Sequence, residues 1–115
     1  MAVNLYSTAT EYIAVPITLG RGKVTDIISV GMYVNVNAAT IPTVGAFTTV
    51  ILVDGTAAPP LPALAVAGEI DILALVGPGA GSNFPSLTTN AYQIWVLITT
   101  ANEQIIRKCD TLTIT

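Results

Sequence analysis

The chain contains no histidine and a single cysteine, and only 10% of its 115 residues are charged. Each shortage removes a class of function. Without histidine, a serine, threonine or cysteine nucleophile lacks its usual base, and the commonest metal ligand is gone. Cys109 has no partner in the chain, so no intrachain disulfide forms. That fits folding in a reducing cytoplasm. Four basic residues, Arg21, Lys23, Arg107 and Lys108, are outnumbered by seven acidic ones, for a net charge of -3. Nucleic acid demands a clustered basic footprint, and an anionic membrane surface demands the same. Neither is expected as a partner. Unbroken apolar runs are also missing. Residues 27–53 and 72–102 carry no charge, but Gly, Pro, Asn and Thr interrupt both, which excludes a membrane-spanning helix. The opening Met1–Tyr6 has neither a basic nor an apolar leader region, so no signal peptide is expected.

What remains is apolar and β-prone: 52% of the residues are hydrophobic. Val24–Val36 alternates with period two, placing Ile28, Val30, Met32 and Val34 on one face. Ala46–Asp54, closed by an Asp54-Gly55 turn, reads as a second strand, and Glu69–Val76 as a third whose acidic first half faces solvent. Ala91–Thr100 is apolar on both faces and reads as a central strand. A short turn at 101–103 joins it to Gln104–Thr115 as a hairpin. Thr10–Leu19 contains Pro16, which confines it to a sheet edge or a sheet switch. Gly31 marks a bulge or a close crossing. No stretch carries a helical period. The spacing predicts an all-β chain: a single immunoglobulin-like β-sandwich of about seven to eight strands. Residues 9–115 form the domain and residues 1–8 an N-terminal arm. The expected core is Ile28, Val30, Met32, Val34, Phe47, Ile51, Val53, Ile72, Tyr92, Ile94, Trp95, Val96, Ile98, Ile106 and Leu112.

Chemistry is sparse. Glu69 and Asp71 share a strand face but lack the further oxygens that calcium needs. The glycine-rich run Gly77–Gly81 precedes a strand, not a helix, and has no lysine nearby, so it is no phosphate cradle. It reads as a flexible loop that contacts other subunits. No catalytic, cofactor-binding or metal-binding residue is assigned, and no small-molecule substrate is expected. The abundant threonines satisfy β-propensity while offering neutral hydrogen-bonding faces. A charge-poor, moderately apolar surface belongs to permanent protein contacts.

The segment Tyr92-Gln93-Ile94-Trp95-Val96-Leu97-Ile98-Thr99-Thr100, followed by Glu103–Thr115, resembles the terminal hairpin of small β-sandwich proteins from tailed-phage structural gene sets. That resemblance implies a virion component assembled in the host cytoplasm. Within that class it points to a decoration, or cement, subunit on the outer capsid surface. Such a subunit binds the major capsid protein and copies of itself, commonly as a trimer. Head–tail connector and tail subunits share these features. A carbohydrate-binding or adhesin module would need an exposed aromatic platform, for which only Tyr6, Tyr12 and Tyr33 are available if Trp95 is internal. The candidate contact residues are Val3, Asn4, Leu5 and Tyr6 in the arm, Pro59, Pro60 and Leu61 in the proline-rich loop, and Asn83 and Phe84 in the glycine-rich loop. The arm is expected to add a strand to a neighbour's sheet, and deletion of residues 1–8 to leave the domain folded.

Overall fold

A computed structural model describes residues 2–18, 26–36, 39–54 and 70–115. Eight strands follow in chain order: β1 (Ala2–Leu5), β2 (Glu11–Ile17), β3 (Ile27–Asn35), β4 (Thr48–Thr49), β5 (Ile51–Asp54), β6 (Ile70–Val76), β7 (Asn90–Thr100) and β8 (Gln104–Ile114). They form two sheets, β1-β8-β7-β3-β4 and β2-β6-β5. Every pairing is antiparallel except that of β1 with β8.

The core lies between the sheets. From the larger sheet come Leu5, Val30, Met32, Val34, Tyr92, Ile94, Val96, Ile98, Leu112 and Ile114; Ile13, Val15, Ile72, Ala74 and Val76 come from the smaller, with Val50 between them. The expected core positions Val30, Met32, Val34, Val53, Ile72, Tyr92, Ile94, Trp95, Val96, Ile98 and Leu112 are all buried. Four expected core residues are not, and each has a local cause.

Ile27 pairs with Thr100 and Ser29 with Thr99, so Ile28 is the extra residue of a bulge. The bulge turns its side chain out to 68% exposure, although the alternation continues through it. Ile106 is only half-buried. Gln93 faces Thr111 but Trp95 faces Lys108, so a second bulge at Cys109-Asp110 reverses the faces of β8. Leu112 therefore points inward while Ile106, opposite Leu97, points outward. Phe47 and Ile51 fail for a third reason. Ala46–Asp54 is not one strand. It begins as a 3-10 turn at Val44–Ala46, pairs with β3 at Thr48–Thr49, then crosses at Val50, whose N–H donates to the Val30 carbonyl (3.0 Å), into the second sheet. Phe47 is left half-buried, and Ile51 43% exposed.

Other expectations resolve more simply. Pro16 lies in β2, an edge strand, opposite Asp71. Gly31 is a close crossing: a β-carbon there would lie 3.0 Å from that of Phe47. Asp71, expected in solvent, is buried at 2% exposure, between Pro16 of β2 and Val53 of β5. Trp95 is buried but lies on the outer face of the larger sheet. It pairs with Tyr33, in the register that points Ile94 and Val96 inward. Its Nε1–H donates to Asn35 Oδ1 (3.1 Å), which satisfies the indole where no second sheet covers it.

Candidate interaction surface

Among the described residues, no three of the Cys, Asp and Glu side chains gather to hold a metal ion. Cys109 is half-buried, and its thiol donates to the Arg107 carbonyl (3.7 Å). Burial foremost, then the neighbouring Asp110 carboxylate, pushes the thiol above its ordinary pKa, against a smaller opposing effect of Arg107. A thiol kept protonated is a poor nucleophile. Among the described residues, no helix is long and apolar enough to cross a membrane.

The sequence-derived contact residues separate into three groups. Leu5 is buried in the core and Val3 packs against it, while Asn4 and Tyr6 face solvent. All of Ala2–Leu5 pairs in parallel with the chain's own β8, from Ala2 opposite Thr111 to Leu5 opposite Ile114. Asn83 and Phe84 are used inside the molecule. Asn83 Oδ1 accepts from the Leu75 N–H (2.9 Å), the Asn83 N–H donates to the Leu75 carbonyl (2.8 Å), and Phe84 packs on the core. The glycine-rich loop, expected to be flexible, is thus tied to β6. It is also tied to the start of β2, where the Gly79 N–H donates to Thr10 Oγ1 (2.8 Å). Gly77, at φ +127°, passes so close to Ala9 that any β-carbon would strike the Ala9 carbonyl. Pro59, Pro60, Leu61 and Glu69 lie outside the described residues.

Topology assembles a surface that linear reading missed. Leu5 pairs with Ile114, Ile114 with Asn90, Asn35 with Gln93, and Glu11 with Val76. The described residues of the connections 6–10, 36–47 and 77–89 therefore share one end of the sandwich. None of the three contains an ionic residue. Of seven exposed large hydrophobic residues among the described ones, five lie in or beside these connections: Tyr6, Tyr12, Val36, Ile41 and Val44. Glu11, at the start of β2, is the single charge on its border among the described residues. The opposite end carries Asp26 before β3, Asp54 closing β5, Asp71 near the start of β6, and Glu103 in the β7–β8 turn. Among the described residues, one end is poor in ionic side chains and the other carries these four carboxylates. Ile41 alone had a visible signal, since an isoleucine between Thr40 and Pro42 belongs to no alternating strand. The ring platform for a carbohydrate is poor, because Trp95 is covered and Tyr33 lies against Phe47 with ring centroids 6.1 Å apart. In comparison with known proteins, no family model, no curated protein and no solved structure matches the chain.

Proposed function

We propose that this chain is a non-enzymatic structural subunit of a virion, a homo-oligomeric decoration (cement) protein on the outer capsid lattice. The observation that supports an assembly role is the neutral end. Three ion-free connections present Tyr6, Tyr12, Val36, Ile41 and Val44 to solvent in a chain already poor in charge. Clustered apolar groups at a rigid end mark a contact surface, and charge depletion marks a contact core. The capsid assignment itself rests on the resemblance of residues 92–115 to phage β-sandwich subunits. A cement protein stabilises a shell by binding the assembled lattice and not the free subunits. Repetition over the lattice converts modest contacts into tight retention.

The test is to add the purified chain to expanded heads of the phage that encodes it, heads prepared without the chain, and to image them by electron microscopy. Density distributed over the whole shell is the expected result. A single focus at the portal vertex or along the tail replaces it with the connector or tail reading. Bare heads overturn the virion proposal.

A further inference from the structure

We infer that the neutral end is where two copies of this chain meet, and that they meet by exchanging β1. The inference rests on the assembly reading of that end and not on the capsid assignment.

β1 is held by a seat that is indifferent to its origin. Its backbone pairs with β8 alone, in parallel. Leu5 inserts into the core and Val3 packs beside it. At the far end of the strand, the Thr115 N–H donates to the Leu5 carbonyl (2.9 Å) and the Ser7 N–H to the Thr115 carbonyl (2.8 Å). Main-chain bonds and pockets for alternate side chains are how a sheet edge accepts an added strand. An identical strand from a second copy would make the same contacts, so exchange sacrifices none of them.

What changes on exchange is the connection, residues 6–10, and its position selects the geometry. The connection lies at the neutral end, and Tyr6, its first residue, is 75% exposed. If it opens, β1 of one copy reaches the partner's β8 only where the two neutral ends abut. In that arrangement β1 still runs toward the neutral end of the copy it enters, which keeps its pairing with β8 parallel. The new contact would bring together Tyr6, Tyr12, Val36, Ile41 and Val44 of both copies, the five large apolar residues exposed at that end. Charge permits the approach. The connections at that end carry no ionic residue. A short tether gives the chain's own β1 an effective concentration in the millimolar range. Exchange is therefore suppressed in dilute solution and favoured where copies crowd together.

Asn4 and Thr113 are register partners on the solvent-facing side of β1 and β8. Neighbouring strands lie close enough for a disulfide. In a Cys109→Ser background, Asn4→Cys chains and Thr113→Cys chains are mixed above about 1 mM and then oxidised. The expected product is a disulfide-linked heterodimer of one chain of each kind, confirmed by non-reducing electrophoresis and peptide mass. The chain carrying both cysteines reports whether the pair can close, because in dilute solution it forms the bond within one molecule. If the double variant closes and the mixed chains do not cross-link, exchange is ruled out. If the double variant fails to close in dilute solution, the β1–β8 seat is wrong and the inference falls with it. Capsid binding that persists without mixed cross-links leaves the virion role standing and removes exchange alone.

Discussion

Gln93 lies on the outer face of β7 but is nearly as buried as the core, at 7% exposure. Its Nε2 amide donates to the carbonyls of Ile94 (2.9 Å), Cys109 (2.7 Å) and Asp110 (3.1 Å). Two of these acceptors belong to the β8 bulge, whose carbonyls have left the regular ladder. Gln93→Ala removes these donors from a buried site, where a group left short of a hydrogen bond costs about 1–3 kcal/mol. The expected loss is at the upper end of that range, read as a lowered urea midpoint with an unchanged m-value. Equal stability of Gln93→Ala and the parent would show that the bulge holds itself. Beside it, Cys109 supplies a pH dependence. Burial raises the thiol's pKa in the folded chain above the ordinary 9.0. Above that pH the unfolded chain has released a proton that the folded chain retains. This contribution to stability is thus complete below about pH 9 and is lost as the pH rises. Native Cys109 should alkylate more slowly than the same cysteine in urea at pH 8.5, and its labelling rate should still be rising above pH 9.

Among the strands, the legible part of the fold is the part where alternation runs undisturbed. The second half of β3 is legible because apolar residues at every other position admit one inward face, and β7 because an apolar run on both faces marks a covered central strand. The bulges at Ile28 and at Cys109-Asp110 were silent, because each inserts one residue without changing the local composition. The crossing at Val50 was equally silent: Thr49-Val50-Ile51 reads as continuous strand and says nothing of which sheet it serves. The seat of β1 is illegible for a related reason. An apolar strand reads the same whether its seat belongs to a neighbour or to its own β8. The consequence is measurable. Deletion of residues 1–8 removes the buried Leu5 side chain and bares the β8 edge, so the truncated domain should be weakened rather than left intact. Leu5→Ala isolates the packing part, for which about 2–5 kcal/mol is expected. A thermal midpoint unchanged by Leu5→Ala would mean that β1 contributes no packing to the fold.

At the scale of the whole molecule, the decisive property is an end whose connections carry no ionic side chain, which no linear scan exposes. Connections 6–10, 36–47 and 77–89 are far apart in sequence, and only the pairings of Leu5, Asn35, Val76 and Asn90 bring them to one end. The candidate residues legible beforehand that face solvent there reduce to Tyr6, with Asn4 along the strand leading to it. Val36 reads in the sequence as the last residue of an alternating strand, and Ile41 stands out only as an isolated apolar residue between Thr40 and Pro42. These two residues now carry a discriminating test. They are 61% and 69% exposed, so Val36→Glu and Ile41→Glu together should alter folding stability by no more than about 1 kcal/mol. The same two charges, placed in a contact that excludes water, face a desolvation penalty of several kcal/mol each. Association through the neutral end should therefore collapse while the fold persists. A control with equal added charge at the opposite end, Ala101→Glu with Asn102→Glu in the exposed β7–β8 turn, should leave association unchanged. Sedimentation of the three proteins at increasing concentration, with circular dichroism to confirm the fold, separates the outcomes. Loss of assembly in both charged variants would point to net charge, and retention in both would place the contact elsewhere. Loss confined to Val36→Glu with Ile41→Glu is the result that the geometry of this end requires.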